Sequence, residues 1–123
     1  MNELNPAVIR GWHAHVYFDA QTLEQARTLC ATAAARFPGL KMGRVHEKPV
    51  GPHADWSCQL ALRAELFAAV LPWLALNRQG LIVLVHPITG EDLIDHRDRA
   101  IWLGGVRPLD LSVLPETSVV YDL

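Results

Sequence analysis

The sequence is poor in the features that mark several large classes of protein. Of its 123 residues only two are cysteines, Cys30 and Cys58, and both fall in apolar segments. Such thiols are typical of buried core residues and exclude the disulfide framework of a small secreted domain. A basic excess is also missing, because 11 lysines and arginines stand against 13 acidic residues. Binding to nucleic acid through phosphate neutralisation is therefore not expected.

Long apolar runs and leader-like segments are absent as well. Residues 1–11 show no basic start followed by an apolar stretch, and the longest apolar run, near Leu66–Leu76, is too short to cross a bilayer. No Gly-x-Gly-x-x-Gly turn follows a predicted strand, which argues against a nicotinamide enzyme. We therefore expect a soluble, cytoplasmic protein that does not bind membranes.

What the sequence does contain is enough apolar material for a folded core. Hydrophobic residues make up 50% of the chain and charged residues 20%, as in an ordinary globular protein. The length fits a single domain over residues 1–123. One sheet with two helices would leave apolar surface uncovered, so we expect a homodimer.

Hydrophobic periodicity predicts an alternation of strands and helices. In the first strand, Gly11–Phe18, the side chains of His13, His15 and Tyr17 share one face. The other predicted elements are a helix over Thr22–Arg36 capped by Asp19 or Thr22, strands over Leu40–His46 and Asp55–Leu62, a helix over Ala64–Asn77 kinked at Pro72, a strand over Leu81–His86, and a C-terminal extension, Pro87–Leu123, with a short helix near Asp95–Trp102. The order βαββαβ predicts an α+β, ferredoxin-like sandwich.

Six histidines are the most informative residues. In a ferredoxin-like sheet the strand order is 4-1-3-2, and we expect strands 1 and 3 to run parallel to each other and antiparallel to strands 2 and 4. On that assumption, five imidazoles fall at one edge of the sheet, where neighbouring strands lie about 4.8 Å apart. These belong to His13, His15, His46, His53 and His86. Their convergence predicts a metal site.

The metal cannot be chosen from the ligand type, since imidazole suits Fe, Zn, Cu and Ni. A carboxylate from Glu47, Asp55 or Asp95 could complete such a site, and the spacing favours none of them.

Several short motifs resemble those of the DOPA 4,5-dioxygenase family. They are Trp-His-Ala-His-Val-Tyr-Phe (12–18), Val-Gly-Pro-His (50–53), Pro-Trp-Leu-Ala-Leu-Asn-Arg (72–78), Leu-Val-His-Pro (84–87), Asp-His (95–96) and Trp-Leu-Gly (102–104). The resemblance runs from Trp12 to Gly104 and departs at Ala54, where proline is expected. It implies a ferredoxin-like homodimer that uses non-haem Fe(II) and O₂ to cleave L-DOPA or a similar catechol beside its hydroxyls.

Extradiol cleavage implies three protein ligands, because the catecholate and O₂ need open coordination positions. We predict His15, His53 and His86 as ligands, with His13 as the closest substitute. Acid–base steps suit histidine, whose pKa is ordinarily ~6.5, and we assign them to His13, His46 or His96. His96 could instead be structural, held by Asp92 or Asp95.

Two further functions remain open. The chain could be a non-catalytic metal- or ligand-binding dimer, or a zinc-dependent hydrolase or lyase, because three histidines and a water also make a zinc site. Arg44, Arg97 and Arg99 could bind a substrate carboxylate or be ordinary surface charges. The four tryptophans are expected in the core or at the dimer interface.

Overall fold

The fold combines one antiparallel sheet with helices, as an α+β protein. The computed structural model describes residues 1–120. Within them the strands are β1 (Gly11–Phe18), β2 (Lys41–His46), β3 (Trp56–Arg63), β4 (Val83–Ile88) and β5 (Ile101–Leu103), and the α-helices are α1 (Leu23–Arg36), α2 (Phe67–Asn77) and α3 (Asp92–Arg97). The predicted α+β class is confirmed, and the first four strands lie within two residues of their predicted bounds.

The sheet has the order β2-β3-β1-β4-β5, so the predicted 4-1-3-2 order of the first four strands is confirmed. All neighbouring strands are antiparallel, including β1 and β3. The prediction that strands 1 and 3 run parallel was wrong. The crossover through α1 leaves β2 parallel to β1, and β3 then turns back antiparallel to β2 and hence to β1.

This reversal changes where the histidines lie. His46 at the end of β2 pairs with Ser57 at the start of β3, whereas His13 at the start of β1 lies opposite Ala61 near the end of β3. The five strand histidines are therefore not gathered at one edge of the sheet, and that prediction was also wrong.

Each strand presents one face to the helices and one to the other side of the sheet. The helix side holds the core, with Ala14 and Val16 of β1 packed against Cys30 of α1 and Leu74 of α2. Burying the side chain of Val16 or Leu74 contributes roughly 1.5–3 kcal/mol. The alternate residues of β1, β4 and β5 form what we call the histidine face: His13, His15, Tyr17, Leu84, His86 and Trp102.

The segment after β4 differs most from its prediction. The predicted helix near Asp95–Trp102 begins three residues earlier and ends at Arg97, and Ile101–Leu103 pairs with β4 as a fifth strand. The alternation of Ile101 and Leu103 toward the core explains the strand, because both pack against the core cluster. The histidine face is covered by α3, which contacts β4.

Several smaller predictions have clear outcomes. Cys30 and Cys58 are buried free thiols, as predicted. Thr22 occupies the N-cap position of α1, but no side chain caps the helix. Asp19 accepts the backbone N–H groups of Gln21 and Thr22 in the turn before α1, so the predicted side-chain cap is not formed. The helix α2 continues through Pro72, and its kink stays a prediction. Over residues 1–120 no helix has both the length and the apolar character needed to span a bilayer.

Candidate metal centre

The histidine face brings five of the six imidazoles into one group, which we call the histidine cluster: His13, His15, His53, His86 and His96. The Nε2 atoms of His15 and His86 lie 3.1 Å apart. The ring centroid of His86 is 3.8 Å from that of His96, and the centroid of His15 is 4.1 Å from that of His53. The His13 ring lies 5.2 Å from His86 and 5.7 Å from His15.

Local structure explains how the five rings meet. His13 and His15 are two residues apart on β1, so they point the same way, and His13 is paired in register with His86 of β4. His53 comes from the loop before β3, where it forms an isolated bridge with Leu109. His96 is carried by α3. The cluster therefore draws on two strands, a loop and a helix.

Backbone carbonyls fix the orientation of two of the rings. The Nδ1 of His86 lies 2.9 Å from the Pro87 oxygen, and the Nδ1 of His96 lies 2.7 Å from the Asp92 oxygen. A carbonyl oxygen only accepts, so both Nδ1 atoms donate their hydrogens. In the neutral rings Nε2 then carries the lone pair, which is the state of a histidine prepared to bind a metal or accept a proton.

Burial keeps four of these imidazoles uncharged. It is the main cause that lowers the pKa of His13 to about 4, with the nearby His96 as the second cause, and the same two causes in the same order lower the pKa of His53 to about 4. The pKa values of His15 and His86 fall well below their usual range, first through burial and then through the neighbouring imidazoles. Neutral imidazole is the form that binds metal.

Tyr17 holds the ring of His53. Its hydroxyl lies 2.6 Å from the His53 Nδ1, and both side chains are buried. Burial raises the pKa of Tyr17, so the phenol keeps its proton at neutral pH. The bond can run in either direction, and the direction decides whether the Nε2 of His53 carries a hydrogen or a lone pair.

The residues present fit a metal ion. His13, His15 and His86 each offer a ring nitrogen, and these three atoms lie within 4.8 Å of one another. Two nitrogens bound to one ion at about 2.1 Å and near right angles are about 3 Å apart, close to the 3.1 Å between His15 and His86. No carboxylate among residues 1–120 bonds a ring nitrogen of the cluster, so a cation would find neutral donors alone.

None of the three carboxylates considered for the site is among the convergent donors. Glu47 is exposed. Asp55 accepts a two-point bond from Arg107 at 2.7 and 2.9 Å, and Asp95 is bonded by Arg99 at 3.0 Å. Among the described residues, the group whose metal-binding atoms converge is formed by the ring nitrogens of His13, His15 and His86.

A small cavity opens beside the cluster. Its volume is about 100 Å³, and it is lined by His13, His86, Pro87, Ile88, Asp92, Asp95 and His96. His13 and His96 are half-buried, whereas His15, His53 and His86 are 5%, 6% and 3% exposed. Solvent and small ligands therefore meet the cluster from the side of His13 and His96.

The comparison with known proteins decides the family. The Dopa 4,5-dioxygenase family matches residues 12–113, which contain the whole histidine cluster. The chain belongs to the DOPA 4,5-dioxygenase family. Among its relatives, the DOPA 4,5-dioxygenase of Amanita muscaria is 37% identical over 87% of this chain and 50% of its own length. An uncharacterised 21.2 kDa protein of Botryotinia fuckeliana is 42% identical over 86% of this chain and 64% of its own length.

A solved structure supports the same family. A protein of Nostoc punctiforme, assigned provisionally as a dioxygenase, is 40% identical and superposes with a TM-score of 0.87 over 90% of this chain and 96% of its own. The present DOPA 4,5-dioxygenase family member thus matches that bacterial protein nearly end to end. It spans half of the Amanita relative and 64% of the Botryotinia relative.

The site residues predicted for this family member divide into two groups. His13, His15, His53, His86 and His96 meet in the cluster. His46 makes no ring contact with them among the described residues. Sequence reasoning missed Arg107, which binds Asp55 across 52 positions, and Thr89, which binds Asp95. No local pattern marks either residue, because each contact depends on how the C-terminal part of the chain folds back.

The structure also places the arginines and tryptophans, and Arg44 is exposed on β2. Arg97 pairs with Asp98 at the exposed end of α3, and Arg99 pairs with Glu91 and Asp95. Trp12, Trp56 and Trp73 pack against the core, whereas the ring of Trp102 lies 6.1 Å from that of Tyr17 on the histidine face.

Proposed function

We propose that this chain is a non-haem Fe(II)-dependent extradiol dioxygenase that opens the ring of L-DOPA or a similar catechol with O₂. The observation that carries the proposal is the pair of buried ring nitrogens of His15 and His86, 3.1 Å apart, on two rings that burial keeps neutral. Membership of the DOPA 4,5-dioxygenase family supplies the reaction class.

The proposed ligands are His15, His86 and His13. His15 and His86 were predicted as ligands from the sequence, together with His53. We favour His13 over His53 as the third ligand because its ring nitrogen lies within 4.8 Å of the other two. Fe(II) bound there would supply the redox chemistry that joins O₂ to the catechol ring.

The remaining members of the cluster suit proton transfer. His96 commits Nδ1–H to the Asp92 carbonyl, so its Nε2 is free to accept a proton from a catechol hydroxyl. His53 is bonded by the Tyr17 hydroxyl, which orients its ring. The catalytic role predicted for His46 stays a prediction, as do the homodimer and the cytoplasmic location.

The deciding experiment is anaerobic reconstitution with Fe(II), followed by L-DOPA in aerated buffer. We expect uptake of one O₂ per catechol in an oxygen electrode, together with a yellow ring-opened product in the visible spectrum. The variant His15→Ala is the control, since it removes a proposed ligand. Iron uptake by the wild-type protein without oxygen consumption on L-DOPA, dopamine or caffeate would contradict the proposal.

A zinc-dependent hydrolase or lyase is the second candidate, because the convergent donors are all imidazole and a carboxylate is not among them. Three histidines and a water form a common catalytic zinc site. The same assay separates the two functions. The activity of a zinc enzyme would not increase when Fe(II) is added in air, and a dioxygenase loaded with Zn(II) would show no activity.

A further inference from the structure

Resting on the proposed function, we infer that Asp95 is a positioning residue, which fixes α3 on the end of β4 and thereby holds His96 against His86. His96 follows Asp95 directly in the sequence, and its ring centroid is 3.8 Å from that of His86. Among the described residues, the hydrogen bonds of the Asp95 carboxylate go to Thr89 and Arg99 and not to a ring of the cluster. Its role is to set the place of the imidazole proposed to move the catechol proton.

Asp95 is a buried carboxylate with a full set of partners. Its side chain is 2% exposed and accepts the backbone N–H of Thr89 at 2.9 Å. The Thr89 hydroxyl lies 2.9 and 3.0 Å from its two oxygens, and the Arg99 guanidinium donates at 3.0 Å. A buried charge satisfied in this way is stable, whereas removal of one partner leaves an unpaired group at high cost.

The network joins two different elements. Thr89 directly follows β4, which carries His86, while Asp95 belongs to α3, which carries His96. Arg99 makes a second connection between the two elements. The Nη1 that donates to Asp95 also donates to the Thr89 hydroxyl at 3.0 Å and to Glu91 at 3.1 Å. The carboxylate of Asp95 therefore links the two proposed functional histidines through their supporting backbone.

The position of α3 depends on its hydrogen bonds to the rest of the protein. With six residues, α3 is far shorter than a helix that is stable alone, so tertiary contacts determine its position. One further bond orients the His96 ring, from Nδ1 to the Asp92 carbonyl one turn earlier. That bond fixes the ring relative to the helix, and Asp95 fixes the helix relative to the sheet.

The test is Asp95→Asn, which keeps the size and removes the charge that Arg99 and the Thr89 hydroxyl recognise. We expect iron content to stay at the wild-type level and turnover of L-DOPA to fall about 10–100-fold, the usual effect of losing an outer partner of a metal site. Asp98→Asn is the matched control, because Asp98 lies at the exposed end of the same helix and pairs with Arg97. It should leave turnover unchanged.

A readout independent of turnover comes from the metal-free protein. The Nδ1–H groups of His86 and His96 should give two slowly exchanging ring N–H signals by NMR, since both donate to carbonyls. In Asp95→Asn the His96 signal should broaden or vanish while the His86 signal remains. Loss of both signals would indicate general loosening and would overturn the positioning role, as would retention of both with normal turnover.

A double-mutant cycle completes the test. If Asp95 acts through His96, then adding Asp95→Asn to His96→Gln should lower turnover no further. An additive loss would overturn the inference while leaving the proposed function intact. Should Asp95→Asn fold poorly, Thr89→Ala against Thr89→Ser offers the same comparison, because serine restores the hydroxyl that bonds Asp95. Thr89→Ala should weaken the His96 signal, and Thr89→Ser should restore it.

Discussion

Two histidines compete for the third place in the metal centre, and their neighbours distinguish them. His13 has no hydrogen-bond partner among residues 1–120 and faces His15 and His86 on the same sheet. His53 is bonded through Nδ1 to Tyr17, a phenol that keeps its proton. If Tyr17 donates that bond, the Nε2 of neutral His53 carries a hydrogen and cannot bind a metal.

We therefore predict different losses for His13→Ala and His53→Ala. His13→Ala should weaken anaerobic Co(II) binding at least ~10-fold, because it removes a ligand. His53→Ala should keep the metal and lower turnover by ~10²–10⁴, the range for an acid–base residue. Titration of Co(II) followed in the visible spectrum, with the oxygen electrode, measures both. Metal loss from His53→Ala with retention in His13→Ala would restore the trio predicted from the sequence.

At the scale of single residues, the sequence allowed part of the site to be predicted. The alternation in β1 placed His13, His15 and Tyr17 on one face, and the register confirms it. The bond between Tyr17 and His53 could not be foreseen, because it depends on the direction of β3. Once β3 runs antiparallel to β1, the loop before β3, which carries His53, comes to the end of β1, where Tyr17 lies.

Elements with strong periodicity were predicted well, and those set by tertiary contacts were not. The helix α1 starts one residue from its prediction because its apolar stripe faces the sheet. The stretch after β4 has no such stripe. Three residues become β5 only because β4 offers a free edge, and α3 forms where Asp95 meets Thr89. Neither the pairing of β5 with β4 nor the place of α3 can be predicted from the local sequence.

The turn after β5 gives a prediction at the element scale. The φ angle of Gly104 is +88°, and a Cβ atom on this residue would collide with the Nη1 of Arg78. That Nη1 donates to the Leu81 carbonyl at 3.1 Å. Gly80 has φ +85, and a Cβ there meets no atom within 4 Å. Gly80→Ala should lower the free energy of unfolding by about 1–2 kcal/mol from backbone strain alone. Gly104→Ala should cost about 1 kcal/mol more, because it also displaces a hydrogen bond.

Urea denaturation of the two alanine variants measures this difference. In an Arg78→Met background the excess cost of Gly104→Ala should disappear, since the guanidinium that it strikes is gone. Equal destabilisation of the two variants in the wild-type background would show that backbone strain alone limits this turn.

At the scale of the whole molecule, the histidine cluster lowers the stability of the folded state, and metal binding can offset that loss. Folding places five imidazoles together with no carboxylate bonded to a ring nitrogen in residues 1–120. Four of them have a lowered pKa, so protonating His13, His15, His53 or His86 opposes the folded state. A ligand that binds only the folded state stabilises it, by about 2.7 kcal/mol at a hundred times its Kd. The stability of the folded protein therefore depends on whether the cluster is neutral or binds a metal.

The metal-free protein should accordingly lose stability in mild acid. His13 and His53 have pKa values of about 4 in the folded state, against 6.5 when unfolded. Between those values the unfolded chain binds protons that the folded chain does not, so the free energy of unfolding falls as pH falls through this window. We expect the thermal midpoint, followed by circular dichroism with chelator present, to drop roughly 10–15 °C from pH 7 to pH 5. The double variant His13→Gln/His53→Gln should show a shallower slope, because glutamine does not titrate. A midpoint that is constant or rises toward pH 5 would mean that these rings are not held neutral by the fold.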